Sequence, residues 1–150
     1  MIEINNLSGL TLDEKFFKKV SQAVLKGENK EKHIVSIAFI TEKEIRGLNK
    51  KYLKKDKPTD VLSFSETRDF LGKIKEFKNI LGEVVICPHF IKKNTNPPFK
   101  KELSRALIHG ILHLLGYSHE KSDKKEKEMR SKENYYLSLY FSIIKCQEKK

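Results

Sequence analysis

The segment from Pro97 to Gly116 constrains the fold most, because it has the pattern of a helix with one apolar and one polar face. Two prolines open it and a glycine closes it, as is typical of the two ends of a helix. At about 100° per residue, with His109 at zero, His113 falls at about 40°. Four apolar residues cluster at roughly 120° to 200°: Leu103, Leu107, Ile111 and Leu114. The pattern therefore predicts a core helix that carries both histidines on a face of their own.

Three histidines have the spacing of a three-histidine metal site. His109, His113 and His119 follow the pattern H-x-x-x-H-x-x-G-x-x-H. One helical turn brings the first two rings together, and Gly116 lets the chain reverse so that the third can supply another nitrogen. Three more residues share the face of the first two histidines: Glu102, Arg105 and Ala106. The spacing predicts one Zn2+ ion per chain, held by three histidine ligands.

Gly110 stands where the metzincin peptidases, which this pattern resembles, keep a catalytic glutamate. A glycine inside a helix costs about 1 kcal/mol relative to alanine, so either a bulky group comes close to it or the helices pack tightly there. Three neutral histidines leave the ion its double charge, which lowers the pKa of bound water to about 7 without a base. The three histidines, acting through that water, therefore favour chemistry on a phosphodiester over peptide cleavage.

Short apolar segments alternate with helical patterns over the rest of the chain. Four segments have the composition of strands: residues 2–7, 33–40, 61–65 and 80–87. Capping boxes beginning at Thr11 and Thr41 open two helices, and Ser122 opens a last helix that reaches about Cys146. Residues 66–79 have no clear period and are expected to be an excursion. The elements predict an α+β or α/β single domain with about four strands and four or five helices.

Cations outnumber anions in the composition. Thirty-one Lys and Arg against twenty Asp and Glu give a net charge of +11. Such an excess favours a polyanionic partner, because neutralising phosphates releases counterions; a solvated lysine-rich surface is the alternative. An apolar run of about 18 residues is missing, and the first residues lack the pattern of a secretion signal. We therefore expect a cytoplasmic protein that does not cross a membrane.

Three stretches together resemble the YbeY family of bacterial endoribonucleases: HGILHLLGYSH at 109–119, LNKKYLKKDKPTDVLSF at 48–64 and LGEVVIC at 81–87. The resemblance extends from the first strand to Glu133. It implies an α+β fold with a mixed four-stranded sheet, and zinc held by His109, His113 and His119. It also implies cleavage of single-stranded RNA in the maturation of the small-subunit ribosomal RNA 3′ end, ribosome quality control, and the small ribosomal subunit as a partner.

The loop after the tyrosine of LNKKY departs from the family at its first position. Family members usually carry an arginine there, which is thought to assist RNA cleavage, and this chain has Leu53. The rest of the loop is consistent with turn chemistry, in which Thr59 and Asp60 hydrogen-bond local backbone amides at the strand entry. The resemblance suggests instead that the loop edges the zinc cleft and presents three lysines to RNA: Lys54, Lys55 and Lys57.

Two other functions stay open. A noncatalytic ribosome assembly factor with bound zinc would bind ribosomal particles and cut nothing, and a metal-dependent hydrolase of another class would have its own substrate. A closed structural zinc site normally has four protein ligands, whereas three are evident here. An open ligand position favours catalysis, so the sequence predicts a zinc-dependent endoribonuclease.

Overall fold

The computed structural model describes residues 1–65, 79–117 and 122–141. Within these ranges four strands are formed: β1 (Ile2–Asn6), β2 (Ile34–Phe39), β3 (Val61–Ser65) and β4 (Ile80–Ile86). Five helices accompany them: α1 (Glu14–Gly27), α2 (Glu42–Leu53), α3 (Pro88–Asn94), α4 (Phe99–Leu114) and α5 (Asp123–Ser138). The excursion predicted at residues 66–79 lies, apart from its last residue, outside the described residues. None of the described helices combines the length and apolar content needed to cross a membrane.

The strands form one mixed sheet in the order β1-β2-β4-β3. β2 pairs in parallel with both β1 and β4, whereas β3 runs antiparallel to β4. β3 therefore lies at one edge of the sheet and β4 next to it. A single α+β domain with a mixed four-stranded sheet and five described helices confirms the predicted fold class.

Each face of the sheet has its own apolar core, because side chains alternate along a strand. Val84 and Ile86 of β4 face a large core that also contains buried residues of α1, α4 and α5. Val85, between them, faces a smaller core with Ile45 of α2. Half of α4 is buried, which confirms it as the predicted core helix: Leu103, Ser104, Ala106, Leu107, Ile108, Gly110, Ile111 and Leu112.

The predicted helix starts are confirmed for α2 and wrong for α1. Thr41 Oγ1 accepts a hydrogen bond from the Glu44 amide at 3.2 Å, and the Glu44 carboxylate accepts one from the Thr41 amide at 3.1 Å. The helix expected to open with a capping box at Thr11 instead has Asp13 as its N-cap, accepting from the Phe16 amide at 3.2 Å. Aspartate caps at least as well as threonine and its charge suits a helix N-terminus, so the cap lies two residues later.

One helix was not predicted, and another ends earlier than predicted. α3 was not predicted, because its seven residues from Pro88 are too few to show a helical period. Ser122 is confirmed as the N-cap of α5, accepting from the Lys125 amide at 3.1 Å. That helix was expected to reach about Cys146 but ends at Ser138, with Leu139 as its C-cap.

Glu28 ties the end of α1 to α5 and to the residue that follows the turn after α4. Its carboxylate accepts hydrogen bonds from Tyr117 Oη at 2.8 Å, from Lys132 Nζ at 3.1 Å and from Tyr136 Oη. Burial raises the pKa of Glu28, but the three hydrogen bonds outweigh it, so this pKa lies below its ordinary value of 4.5. Tyr117 directly precedes residues 118–121, which include His119, and the network fixes where that segment starts.

Replacing Glu28 by glutamine should lower the free energy of unfolding by about 1 to 3 kcal/mol at neutral pH, because hydrogen bonds to a charged group are lost. A carboxylate with a lowered folded-state pKa stabilises the protein above its unfolded-state pKa and stops doing so as pH falls through the folded-state value. The difference between wild type and Glu28→Gln in urea unfolding should therefore shrink from about pH 6 to about pH 3.

Glu31→Gln is the matched control, since Glu31 is an exposed glutamate in the loop after α1. It should leave the free energy of unfolding nearly unchanged over the same pH range. A wild-type to Glu28→Gln difference that does not vary with pH would show that the charge of Glu28 is not what holds the network together.

Candidate functional site

α4 packs directly on β3 and β4 at Gly110. A Cβ atom placed on this glycine would lie 2.6 Å from Val84 Cγ1 and 3.1 Å from Val61 Cγ2. Ser63 Oγ of β3 donates a hydrogen bond to the Gly110 carbonyl at 2.9 Å. The close approach predicted at this glycine is confirmed, but its partner is the sheet and not another helix.

His109 and His113 face each other on α4 beside this contact. Their Nε2 atoms are 3.0 Å apart and their ring centroids 4.5 Å apart. His109 Nδ1 is 2.5 Å from Glu133 Oε2 of α5, a buried carboxylate that can only accept when ionised. In a neutral His109 ring the proton is therefore on Nδ1, and the lone pair of Nε2 is directed towards His113.

The facing nitrogens fit a metal ion. If His113 also carries its proton on Nδ1, two lone pairs face each other at 3.0 Å and repel unless a proton or a cation lies between them. Two histidine ligands of one tetrahedral zinc ion, each about 2.05 Å from the metal, are about 3.3 Å apart, which is close to the separation here. The carboxylate behind His109 is the outer partner that metal-binding histidines commonly have. The described donors thus have the chemistry and the spacing of two zinc ligands.

The third predicted ligand, His119, lies outside the described residues, so the structure brings together two of the three histidines. The turn that leads towards it is described. Gly116 has a φ of +103°, which a glycine adopts without strain. Its amide donates to the His113 carbonyl, and the Tyr117 amide donates to the Leu112 carbonyl, each at 3.0 Å. The chain reversal predicted at this glycine is therefore confirmed, and zinc ligation by the third histidine stays a prediction.

The histidine pair lines a cleft of about 780 Å³ along the edge strand β3. Its described lining comes from the end of α2, from Asp60 and β3, and from α3, α4 and α5: Tyr52, Leu53, Asp60, Val61, Leu62, Ser63, Phe64, Ser65, Ile91, Thr95, Glu102, Arg105, Ala106, His109, His113 and Glu133. The polar face predicted for α4 is thus confirmed, because its five residues all line this cleft.

The loop from Lys54 to Asp60 connects two lining residues of the cleft, Leu53 before it and Asp60 at its end. Asp60 Oδ1 accepts from the Val61 amide at 2.7 Å, which confirms the turn chemistry at the strand entry. Thr59 Oγ1 donates a hydrogen bond to the same Asp60 oxygen at 3.3 Å, so among the described contacts its partner is a side chain and not a backbone amide. The three candidate lysines of this loop are exposed and are not among the lining residues, so their contact with RNA stays a prediction: Lys54, Lys55 and Lys57.

The described wall of the cleft is not basic, although the whole chain has a net charge of +11. Its three carboxylates belong to Asp60, Glu102 and Glu133, whereas Arg105 supplies its one guanidinium. Arg105 Nε is 3.4 Å from Glu102 Oε1, so this pair is within ion-pair distance. The described wall therefore suits an anionic substrate only if a further cation is present.

Glu133 is the site residue that the sequence reasoning missed. It lies 24 residues after His109, on a helix whose apolar residues give little indication of which face is buried. The one available signal was its position four residues after Met129, which is fully buried and shares that face of α5. The contact between Glu133 and His109 depends on the packing of α5 against α4, which the spacing alone does not predict.

A family model described as Endoribonuclease YbeY matches residues 3–140. The chain belongs to this endoribonuclease family. The YbeY endoribonuclease of Aquifex aeolicus is 45% identical over 107 residues, covering 69% of this chain and 68% of that one. Its counterparts are 37% identical in Thermotoga maritima (80% and 75% covered) and 33% identical in Staphylococcus aureus (93% and 95% covered).

A solved structure from the same organism as one of these relatives has the same fold. The solution structure of a Thermotoga maritima protein superposes with a TM-score of 0.63 at 34% identity, covering 91% of this chain and 87% of that one. Together with the family match, this confirms the resemblance predicted from the three sequence stretches.

Gly110→Ala should lower the free energy of unfolding by about 1 to 3 kcal/mol, because overpacking against β4 outweighs the gain in helix propensity. Val84→Ala removes the nearest obstructing atom, so Gly110→Ala should cost less in that background. Chemical denaturation of the four proteins in this double-mutant cycle measures the coupling.

Gly47→Ala in α2 is the matched control, since a Cβ there would meet nothing within 4 Å. It should stabilise the protein by up to about 1 kcal/mol through helix propensity. If Gly110→Ala also stabilised the protein, close packing of α4 on the sheet at this residue would be contradicted.

Proposed function

We propose that the chain is a zinc-dependent endoribonuclease that hydrolyses single-stranded RNA in the cleft beside His109 and His113. Membership of the family supports the endoribonuclease activity. The observation that carries the metal dependence is the facing pair of Nε2 atoms 3.0 Å apart, with the carboxylate of Glu133 behind one of them. The biological substrate in this proposal is ribosomal RNA, at the 3′ end of the small-subunit molecule, with a role in ribosome quality control.

Each residue at the histidine pair has a separate role in the proposed chemistry. His109, His113 and, outside the described ranges, His119 would hold the zinc ion, which when bound supplies Lewis acidity to a water molecule and to a phosphodiester. Glu133 fixes the tautomer and the orientation of His109. Gly110 presents no carboxylate, and its surface is packed against Val84, so the helix offers no proton acceptor at the peptidase position. This arrangement supports phosphodiester over peptide hydrolysis.

The rim of the cleft supports a single-stranded substrate. Tyr52 lines the cleft, is half exposed, and packs edge to face on Phe64 with ring centroids 5.1 Å apart. An aromatic ring held in this way suits stacking against an unpaired base, which a duplex does not offer. The exposed lysines of the adjoining loop suit contacts with the phosphates of the same strand.

One observation favours a second candidate function, a noncatalytic ribosome assembly factor with bound zinc. Leu53 lines the cleft at the position where the family resemblance implies an arginine that assists cleavage. A chain without that guanidinium retains the means to bind zinc and RNA while losing catalytic strength. In both candidates the small ribosomal subunit is the partner and the cytoplasm the location.

Purified wild type should carry about one zinc ion per chain, and His113→Ala should lose most of it, because one of the two facing nitrogens is removed. Elemental analysis after extensive dialysis measures the occupancy. His33→Ala is the matched control, since His33 precedes β2 and is not among the described lining residues of the cleft. Full zinc occupancy in His113→Ala would contradict the assignment.

Wild type should cut a small-subunit ribosomal RNA fragment and leave unstructured peptides intact. Lys54→Ala combined with Lys55→Ala should weaken binding to all RNA sequences and reduce the slope of log affinity against log salt by about 0.7 per lost phosphate contact. His113→Ala should lower cleavage more than binding. Leu53→Arg should raise cleavage, because residue 53 lines the cleft and a guanidinium can contact a phosphate through two nitrogens.

Lys18→Ala combined with Lys19→Ala is the matched control for the loop lysines, since it removes an adjacent exposed pair from α1. It should change the salt slope less than the loop variant does.

If wild type bound ribosomal RNA with the expected salt slope but cut neither fragments nor intact particles, the assembly-factor candidate would replace the nuclease. Zinc-dependent cleavage of peptides would instead indicate a hydrolase of another class.

A further inference from the structure

We propose that Arg105 is a substrate-binding residue that contacts a phosphate of the bound strand through its terminal guanidinium nitrogens. This inference rests on the proposed function, because it assigns a role within the same cleft. Neither the zinc ligands nor the loop lysines include this residue.

Arg105 lies on the same face of α4 as the histidine pair. It precedes His109 by four residues on α4, so the two side chains lie on one face about 6 Å apart along the helix axis. Both line the cleft. A strand whose reacting phosphate lies at the histidine pair therefore passes within reach of the guanidinium.

The guanidinium of Arg105 has one ionic partner among the described residues, and that partner lies on its inner side. Glu102 Oε1 lies 3.4 Å from the inner nitrogen, Nε, and the Arg105 side chain is 38% exposed. Within the described residues, nothing hydrogen-bonds to the two terminal nitrogens. A planar guanidinium paired on its Nε side can present both terminal N–H groups to two oxygens of one phosphate, which a lysine cannot do.

The charges of the cleft wall also favour a phosphate contact at Arg105. Arg105 is the one Lys or Arg among the described lining residues, against the carboxylates of Asp60, Glu102 and Glu133. The lysines of the neighbouring loop stand outside the lining. Without Arg105 the described wall would keep three carboxylates and no fixed cation, and it would repel a phosphodiester.

A purely structural role has to be distinguished from phosphate binding, because Arg105 also pairs with Glu102. Glu102→Gln removes the charge of that partner and leaves the guanidinium in the cleft. If Arg105 served only to hold Glu102, then Glu102→Gln and Arg105→Ala should have the same effects on cleavage. If it binds phosphate, Arg105→Ala should reduce the salt dependence of binding and Glu102→Gln should not.

The experiment compares wild type, Arg105→Ala, Arg105→Lys, Glu102→Gln and a matched control, Arg130→Ala. Arg130 pairs with Glu126 at the same 3.4 Å on α5, is 62% exposed, and is not among the described lining residues. Cleavage is measured on a single-stranded ribosomal RNA fragment. Binding is measured at several salt concentrations on single-stranded DNA of the same sequence, and zinc content and thermal unfolding are recorded for every variant.

Arg105→Ala should cut the RNA about tenfold to a hundredfold more slowly, with zinc content unchanged. It should also reduce the slope of log affinity against log salt by about 0.7, the value for one phosphate contact on a single strand. Arg105→Lys should keep the salt slope and recover part of the cleavage, since it restores the charge without the two-nitrogen geometry. Arg130→Ala should match wild type in both measurements.

The outcomes separate this inference from the proposed function. If wild type cuts RNA and Arg105→Ala matches it in rate and salt slope, phosphate binding by Arg105 is overturned while the nuclease stands. Equal losses of cleavage in Arg105→Ala and Glu102→Gln, both with the wild-type salt slope, would overturn it in favour of a structural role. If wild type cuts no RNA but its binding still depends on Arg105 through the salt slope, the nuclease fails and the phosphate site stands.

Discussion

The close packing of α4 on the sheet at Gly110 is the contact on which the site depends. With no Cβ at this position, the helix backbone comes near enough for Ser63 Oγ to reach the Gly110 carbonyl, with Val84 beneath. The neighbouring His109 is thereby placed beside the edge strand β3. Any larger residue would push the helix away from β3, and the cleft between them would change shape. The glycine that removes the peptidase base is thus also the residue that lets the cleft form.

Two carboxylates contact residues of the histidine pattern from other helices or their ends. Glu133 of α5 fixes one ring nitrogen of His109. Glu28, at the end of α1, binds Tyr117 just before the segment that contains His119, and it also binds α5 through Tyr136. Both carboxylates therefore connect α5 to residues of the histidine pattern, His109 and Tyr117. Because such outer partners orient histidine rings, α5 belongs to the candidate site, although only Glu133 of this helix lines the cleft.

Charge has two different roles in this molecule. The excess of 31 basic over 20 acidic residues creates a long-range attraction for a polyanion, which salt screens over about 10 Å at 0.1 M. The described wall of the cleft, with three carboxylates and Arg105, has no such excess. In the proposed mechanism the exposed lysines attract the strand, whereas the guanidinium of Arg105 and a bound metal ion would orient a single phosphate. The proposed RNA chemistry accordingly needs both the surface charge and the site.

The sequence by itself determined the features that depend on residues a few positions apart. The two-histidine face of α4, the reversal at Gly116 and the capping box at Thr41 all follow from helical period, glycine conformation or side-chain reach, and all three are confirmed. The strand segments follow from composition in the same way.

Only the tertiary structure decided which distant segments meet. It showed that the partner of Gly110 is the sheet and that Glu133 contacts His109 from 24 residues away. It also showed that Arg105 is the basic side chain of the described cleft wall, whereas the predicted lysines are not among the lining residues. The physical reason is that local pattern records which face of an element is apolar or polar, whereas the neighbour of that face depends on how the whole chain packs its two cores. Which neighbour a face acquires depends on all the contacts of the folded chain together, so it cannot be predicted from any one segment of the sequence.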